Sequence, residues 1–453
     1  MLPSPRRLLV LDDDPTGSQC VHDVDAAFTE DPEVAARALD QDGSTCFVLT
    51  NSRALDEDDA TQINTRILTG VLDRGVGPEG LHVVSRSDST LRGHVIAEPA
   101  ALADALEHHG RPVDAILFCP AMLEAGRFTE ADVHYATVDG EARRVEDTDF
   151  ARDATFGYST SDLREFLAEK SDGSIAAPDV LSVSLEDIRD GGVDEVARIL
   201  ATARDRRWVV INATMYEDME VVVDAVTRLE AEGRTYLTRC APSFVRPLAG
   251  QRGAEVLDPD AIRIAGDTQP HGLLVVGSHV GLTTTQLEEV QRRGGLAEVE
   301  LDVPTLLEDS SRDEHIRAAV TTVRDTLGER DCVVYTSRTL VREDDPEKSL
   351  AIARSISDAV VEVVRGVRDA RPAWVIAKGG ITSHEVAAHG LDIRRARVEG
   401  QFFPGQISLF TPLDAPEEVL GIPYVVFPGN VGGTDALADV VDRLTTATAR
   451  RTT

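Results

Sequence analysis

The sequence predicts an α/β fold in two domains, each with a mainly parallel sheet flanked by helices, and an active site in the cleft between them. Three observations lead there. Short apolar runs alternate with amphipathic stretches, the pattern of parallel strands joined by helices. That pattern lapses over residues 248–266, LAGQRGAEVLDPDAIRIAG, and then restarts. The chain has 453 residues, more than one ordinary core accommodates. Domains are therefore expected at 1–250 and 271–453, with residues 251–270 as a linker.

In chain order, strands are predicted at Leu8–Leu11, Cys46–Thr50, His82–Ser85, Ala115–Cys119, Val180–Val183 and Trp208–Asn212. Helical stretches between them include Asp58–Leu72 and Ala97–His109. The first strand follows two arginines and superficially resembles a leader. Its apolar run meets three aspartates after four residues, too soon for a signal peptide. After the linker come strands at Leu273–Val276, Ala297–Leu301, Cys332–Thr336, Trp374–Ala377 and Tyr424–Phe427. Helices are expected at Thr283–Arg293, Glu314–Leu327 and Ser349–Arg368, with a last one from about Thr434.

Composition excludes several classes. A net charge of −33 argues against a nucleic-acid binder, since neutralising phosphates needs a basic face. No apolar run approaches the roughly 20 residues of a membrane helix. The five cysteines are odd in number and widely spaced, which favours a reducing, cytoplasmic compartment over disulfides or structural zinc. Histidines show no ligand spacing, so no metal site is assigned. Of 46 basic residues only Lys170, Lys348 and Lys378 are lysines, and Lys378 stands out in a Gly-rich turn.

Ligands of parallel sheets sit beyond the carboxyl ends of the strands, so the residues after each strand matter most. LVLDDDPTGS places Asp12, Asp13 and Asp14 together, which suits a general base or water-bound Mg²⁺. An Asp-rich capping turn explains it equally well. In HVVSRSDSTLRGH, Ser89 and Thr90 at a helix start would cradle an anion, Arg92 would hold a carboxylate bidentately, and Asp88 would accept from hydroxyls. The alternative is a capped helix with Asp88 pairing Arg92 at i,i+4. AWVIAKGGITSHE, YVVFPGNVGGTDAL and VVGSHVGLTT each read as strand, Gly-rich turn and helix, and three such turns in one domain favour a nucleotide. There is no G-x-x-x-x-G-K-[ST]. The G-x-G-x-x-G at Gly75–Gly80 precedes a strand instead of following one and contains Pro78, so it is a chance match.

The motifs LDDDPTGS, TNSRAL, SRSDSTLRGH, PAMLEAGRFT with VHY, VVGSH, AKGGITSHE and FPGNVGG occur in the order seen in the four-carbon acid sugar kinases, and nearly the whole chain resembles that family. The resemblance implies a sugar-binding N-terminal part, a nucleotide-binding C-terminal part, and ATP-dependent phosphorylation of the terminal hydroxyl of an acid such as 3-oxotetronate, threonate or erythronate. The family's paired-aspartate signature falls on Asp13 and Asp14 and its D-S-T-L-R-G motif on Asp88–Gly93; Asp13 and Asp88 are expected to be catalytic, and Asp14, Asn51, Arg53, Ser89, Thr90, Arg92 and Gly93 to bind the substrate. The resemblance carries ATP binding to Ser278, Gly379, Gly380, Ile381, Thr382, Gly429 and Asn430, with Mg²⁺ expected alongside ATP. The sequence departs from many members at Pro15, His94 and Ile381. The expected partners are a sugar acid and ATP, without nucleic acid or membrane, and a homodimer is left open. Two other readings stand beside the kinase: a Mg²⁺-dependent acid-sugar dehydratase or aldolase, and a nucleotide-binding regulator without turnover.

Overall fold

The computed structural model describes residues 6–14, 16–77, 79–252, 256–338 and 346–451. Pro15 and Pro78 lie outside the described residues. The chain divides into two compact units, Met1–Ala254 and Glu255–Thr453.

Unit 1 is built from β1 (Arg7–Asp12), β2 (Val24–Ala27), β3 (Thr45–Leu49), β4 (Leu81–Arg86), β5 (Ala115–Cys119), β6 (Arg127–Glu130), β7 (Val133–Val138), β8 (Glu141–Arg144), β9 (Leu181–Val183), β10 (Arg207–Ile211) and β11 (Tyr236–Cys240). Eight of these form one parallel sheet in the order β2-β3-β1-β4-β11-β5-β10-β9. The central strands are apolar on both faces because helices cover both, and Leu8 through Leu11 are all buried. The helix Glu57–Asp73 begins where the Asp56 carboxylate accepts from the Asp59 amide, and it buries Ile67, Leu68 and Val71 against that sheet's core. Strands β6, β7 and β8 form a separate antiparallel meander.

Unit 2 contains β12 (Leu273–Val276), β13 (Ala297–Leu301), β14 (Cys332–Thr336), β15 (Val375–Lys378), β16 (Arg395–Phe403), β17 (Gln406–Asp414) and β18 (Tyr424–Phe427). The order is β13-β14-β12-β15-β18-β17-β16, parallel from β13 through β18 and antiparallel through β17 and β16. Its helices include Gly281–Arg293, Asp309–Thr326, Pro346–Val367 and Ala436–Arg451. Among the described residues no helix is long and apolar enough to cross a membrane. All five cysteines are buried free thiols.

The predicted α/β class with mainly parallel sheets is what the chain adopts. The alternation pattern passed over β2, the central strand β11, the meander and the β16–β17 hairpin. One local expectation is corrected. Ser89 and Thr90 do not start a helix: the helix begins at Ala97, after a turn held by Leu91 at φ 68° and Gly93 at φ 111°. Those two left-handed residues are incompatible with helical continuation.

Candidate functional site

Two clusters stand at carboxyl ends of strands, one in each unit. In unit 1 the ends of β1, β3 and β4 are adjacent, because β1 lies between the other two. Asp12 is fully buried and its Oδ1 accepts from Arg86 Nη1 at 2.6 Å. Burial pushes its carboxyl up to about 7, against the pull of Arg86. Its Oδ2 has no hydrogen-bond partner. Asp13 accepts from Arg53 Nη2 at 2.6 Å and from Ser87 Oγ at 2.5 Å. Asp14 accepts from the Thr16 amide and hydroxyl at 2.8 and 2.6 Å. Burial raises the Asp14 carboxyl, but Arg53 and Arg86 with those bonds hold it below its ordinary value.

Arg53 is the hub. Besides Asp13 it reaches Asp14 at 3.5 Å and Asp88 at 3.8 Å. Asp88 also accepts from Arg92 Nε at 2.9 Å and from the Thr90 hydroxyl. Burial opposes its ionisation, yet Arg53 and Arg92 win and set it at about 2. The expected pairing of Asp88 with Arg92 is thus present, in a turn and not along a helix. Gly93 is required here on two counts. Its φ is left-handed, and a Cβ would stand 2.9 Å from Asp13 Oδ2 and 2.8 Å from Ser87 Oγ.

The structure therefore brings together Asp13, Asp14, Arg53, Asp88, Thr90, Arg92 and Gly93. Asn51 stands beside them at φ 52°, without a side-chain cap bond, at the start of the short turn of helix that carries Arg53. The Ser89 hydroxyl is engaged with Met122 Sδ at 3.6 Å. Sequence reasoning missed Arg86 and Arg239. Arg239 is 1% exposed on β11. It donates to Glu98 and Ser85 at 2.6 Å each, while its Nη2 is unpartnered beside Gly93. No periodic signal marks an arginine inside a strand. His134 of the VHY motif has a structural partner here, its Nε2 meeting the Ser89 carbonyl at 2.9 Å.

The carboxylates of this cluster fit Mg²⁺ poorly, because arginines and hydroxyls already engage Asp13, Asp14 and Asp88, and Arg86 holds Asp12. Among the described residues no group of three or more His, Cys, Asp or Glu side chains could hold a metal ion.

In unit 2 the turns after the adjacent strands β12, β15 and β18 converge. A Cβ on Gly277 would stand 2.5 Å from Thr382 Oγ1, one on Gly379 2.8 Å from Ser278 Cβ, and one on Gly429 3.1 Å from Ser278 Oγ. Ser278 and Thr382 are thus enclosed by three glycine backbones. Gly379 has φ 123°, which an L side chain rarely adopts. The Thr283 hydroxyl donates to the Gly429 carbonyl at 2.9 Å, and Gln286 Nε2 donates to the Val431 and Gly433 carbonyls at 3.1 and 2.8 Å. Gly380 opens the six-residue helix Gly380–Glu385. Ile381 is 67% exposed and Asn430 is also exposed, so neither side chain is drawn into the cluster. Two of the three turns lead into a helix within a few residues. After β18 the helix waits until Ala436, so the Gly429–Gly433 turn is a loop and not a helix start. Lys378, Arg338, Thr283 and Gln286 were not among the expected site residues.

A sugar-binding N-terminal domain matches residues 8–248, and a nucleotide-binding C-terminal domain matches residues 273–437. The chain belongs to the family that joins these two domains, since the first match alone covers more than half of it. Solved structures share the fold. One is a Salmonella typhimurium LT2 protein that carries a provisional tRNA-synthase name. It is 14% identical with a TM-score of 0.69, over 96% of this chain and 98% of that one. Another is a Haemophilus influenzae protein of the DUF1537 family, 16% identical with a TM-score of 0.65, over 95% of this chain and 99% of that one. No curated protein matches.

Proposed function

We propose that this protein is an ATP-dependent kinase that phosphorylates the terminal (4-) hydroxyl of a four-carbon sugar acid such as 3-oxotetronate, threonate or erythronate. One observation supports this above the rest. A cluster that alternates carboxylates, hydroxyls and arginines occupies the sugar-binding domain, and a glycine-lined triple turn occupies the nucleotide-binding one. A polyhydroxy acid needs acceptors for its hydroxyls and cations for its carboxylate, and the first cluster has both. A polyphosphate needs close backbone approach, which the second allows.

In this reading Arg92, with Arg53 behind it, holds the substrate carboxylate. Asp88 and Asp13 orient the acceptor hydroxyl. A carboxyl at about 2 is a weak base, so Asp88 serves better as an acceptor that fixes the hydroxyl than as the group that removes its proton. The hydroxyl oxygen attacks the γ-phosphorus, the bond to the β-phosphate oxygen breaks, ADP leaves, and the hydroxyl proton passes to a carboxylate. Transfer depends on positioning and charge stabilisation more than on covalent help. Ser278, Gly379, Gly380, Ile381, Thr382, Gly429 and Asn430 remain the proposed ATP-binding positions. Mg²⁺ would arrive on the phosphates, since the unit 1 carboxylates fit it poorly. A net charge of −33 gives no support to a nucleic-acid substrate.

The test is a screen of the purified chain with ATP over threonate, erythronate and their 3-oxo forms. ADP release coupled to a phosphorylated acid by mass spectrometry is expected. Acid conversion that proceeds without ATP would point to the dehydratase or aldolase reading. ATP binding without any product would point to the regulator.

A further inference from the structure

Two cations stand at the glycine turns of unit 2, and they are engaged in different ways. Lys378 is wholly buried. Its Nζ donates to the Pro428 carbonyl at 2.6 Å and the Gly429 carbonyl at 3.2 Å, and lies 4.0 Å from the centre of the Phe427 ring. An ammonium has three protons, and two carbonyls and a ring face use them. Burial pushes its pKa down to about 7. This lysine clips the end of β15 to the loop after β18 and has nothing left for a ligand.

Arg338 lies two residues beyond β14 and is half-buried. Its Nη2 donates to the Ser278 carbonyl and to Thr284 Oγ1, both at 2.7 Å. Its Nε and Nη1 are shielded from solvent and have no hydrogen-bond partner among the described residues. Among the described residues Glu288 is the acidic group whose field reaches it, without forming an ion pair. A guanidinium is charged at every working pH and binds anions through paired N–H groups. Here one nitrogen is anchored to the Ser278 turn and the other two are idle. Unpaired donors of a cation are costly to shield from water, and an anion at the same turn would relieve that cost.

We infer that Arg338, and not Lys378, is the cation that meets the phosphates of the nucleotide, while Lys378 positions the turn they lie on. The inference rests on nucleotide binding by unit 2 and is independent of phosphoryl transfer.

The test is calorimetry on the full chain with ATP, ADP and adenosine, for the wild type and for Arg338→Gln, Arg338→Lys and Lys378→Met. Arg338→Gln is expected to weaken ATP about 10–100-fold, the range of one charge-assisted hydrogen bond, and to change adenosine less than about twofold. Arg338→Lys should fall between it and the wild type. Lys378→Met should lower the melting temperature and weaken all three ligands alike. Equal losses for ATP and adenosine in Arg338→Gln would make Arg338 a brace for the turn and overturn the inference, as would unchanged ATP affinity. Unfolding of both Arg338 variants would have the same meaning. A wild type that binds ATP without turnover removes the kinase reading and leaves the inference standing. A wild type that binds no nucleotide removes both.

Discussion

Asp88 stays ionised far into the acid range, and its folded-state value near 2 against an ordinary 3.8 has a thermodynamic consequence. A carboxylate depressed in the folded state stabilises the protein above its unfolded pKa, and that stability is lost as pH falls through the folded value. For Asp88 the window runs from about 4 down to about 2, and the contribution is about 2 kcal/mol. Asp88→Asn should therefore flatten the acid limb of a denaturation profile across that window. It should also weaken the sugar acid by roughly 1.5–3 kcal/mol, the value of a charge-assisted hydrogen bond, and leave ATP affinity alone. If instead ATP binding fails and the acid still binds, the assignment of ligands to domains is inverted. The mirror experiment is Gly379→Ala, at φ 123° with Ser278 2.8 Å from the new methyl. It should cost about 1–3 kcal/mol in backbone strain, damage ATP binding and spare the acid.

The turn that carries Asp88 is held from outside by elements far away in sequence. His134 on β7 meets the Ser89 carbonyl, and the Tyr158 hydroxyl donates to the Thr90 carbonyl at 2.9 Å. Burial pushes the His134 imidazole down to about 4, so it is neutral near pH 7 and binds the carbonyl as a plain N–H donor. Tyr158→Phe deletes one bond without changing shape, and a stability loss of about 0.5–1.5 kcal/mol is expected. It should also slacken the acid site, read as a higher Kd for the acid with unchanged Kd for ATP. An acid affinity equal to the wild type would show that the Tyr158 hydrogen bond does not tune this turn. These contacts explain what was legible beforehand. Alternating strands and helices marked β1, β4, β12 and β15 to within a residue or two, because a parallel strand buried on both faces is a run of aliphatics. TYLTRC at β11 breaks that run with Thr238 and Arg239, and VDAA at β2 is too short and small to register. The strand-end motifs Asp12–Gly17, Asp88–Gly93 and Lys378–Thr382 are legible by their turn chemistry. Arg239 and Arg338 have no sequence signal because nothing local distinguishes an arginine that turns inward to hydrogen-bond the protein from one that faces water.

At the scale of the molecule, two ligands are assigned to two compact units, and binding should protect each unit separately. Hydrogen exchange with ATP should slow amides around residues 277–283, 379–383 and 428–433, and with the sugar acid those around 12–17, 51–53 and 87–94. Protection in the opposite pattern would contradict the domain assignment. A net charge of −33 also implies strong self-repulsion in the folded state. Raising salt from about 0.05 to about 1 M shortens the screening length from about 14 to 3 Å, so the melting temperature should rise. A flat response would mean that surface ion pairs already compensate the excess.

The glycines of the two sheet rims have one more consequence, for which changes a lineage can accept. At the rim where the strands of unit 1 begin, Gly110 and Gly233 have left-handed φ and open space around any added Cβ. Asparagine, which tolerates that backbone, should replace either with little loss. Where the strands of unit 1 end, a methyl on Gly17 would stand 2.2 Å from Asp12 Oδ2, and at the end of β15 in unit 2 one on Gly379 would meet Ser278. No residue type relieves those collisions. A library randomised at all four positions and sorted for folded protein should accept asparagine at 110 and 233 while returning only glycine at 17 and 379. At these two strand ends, what selection would preserve is volume kept empty.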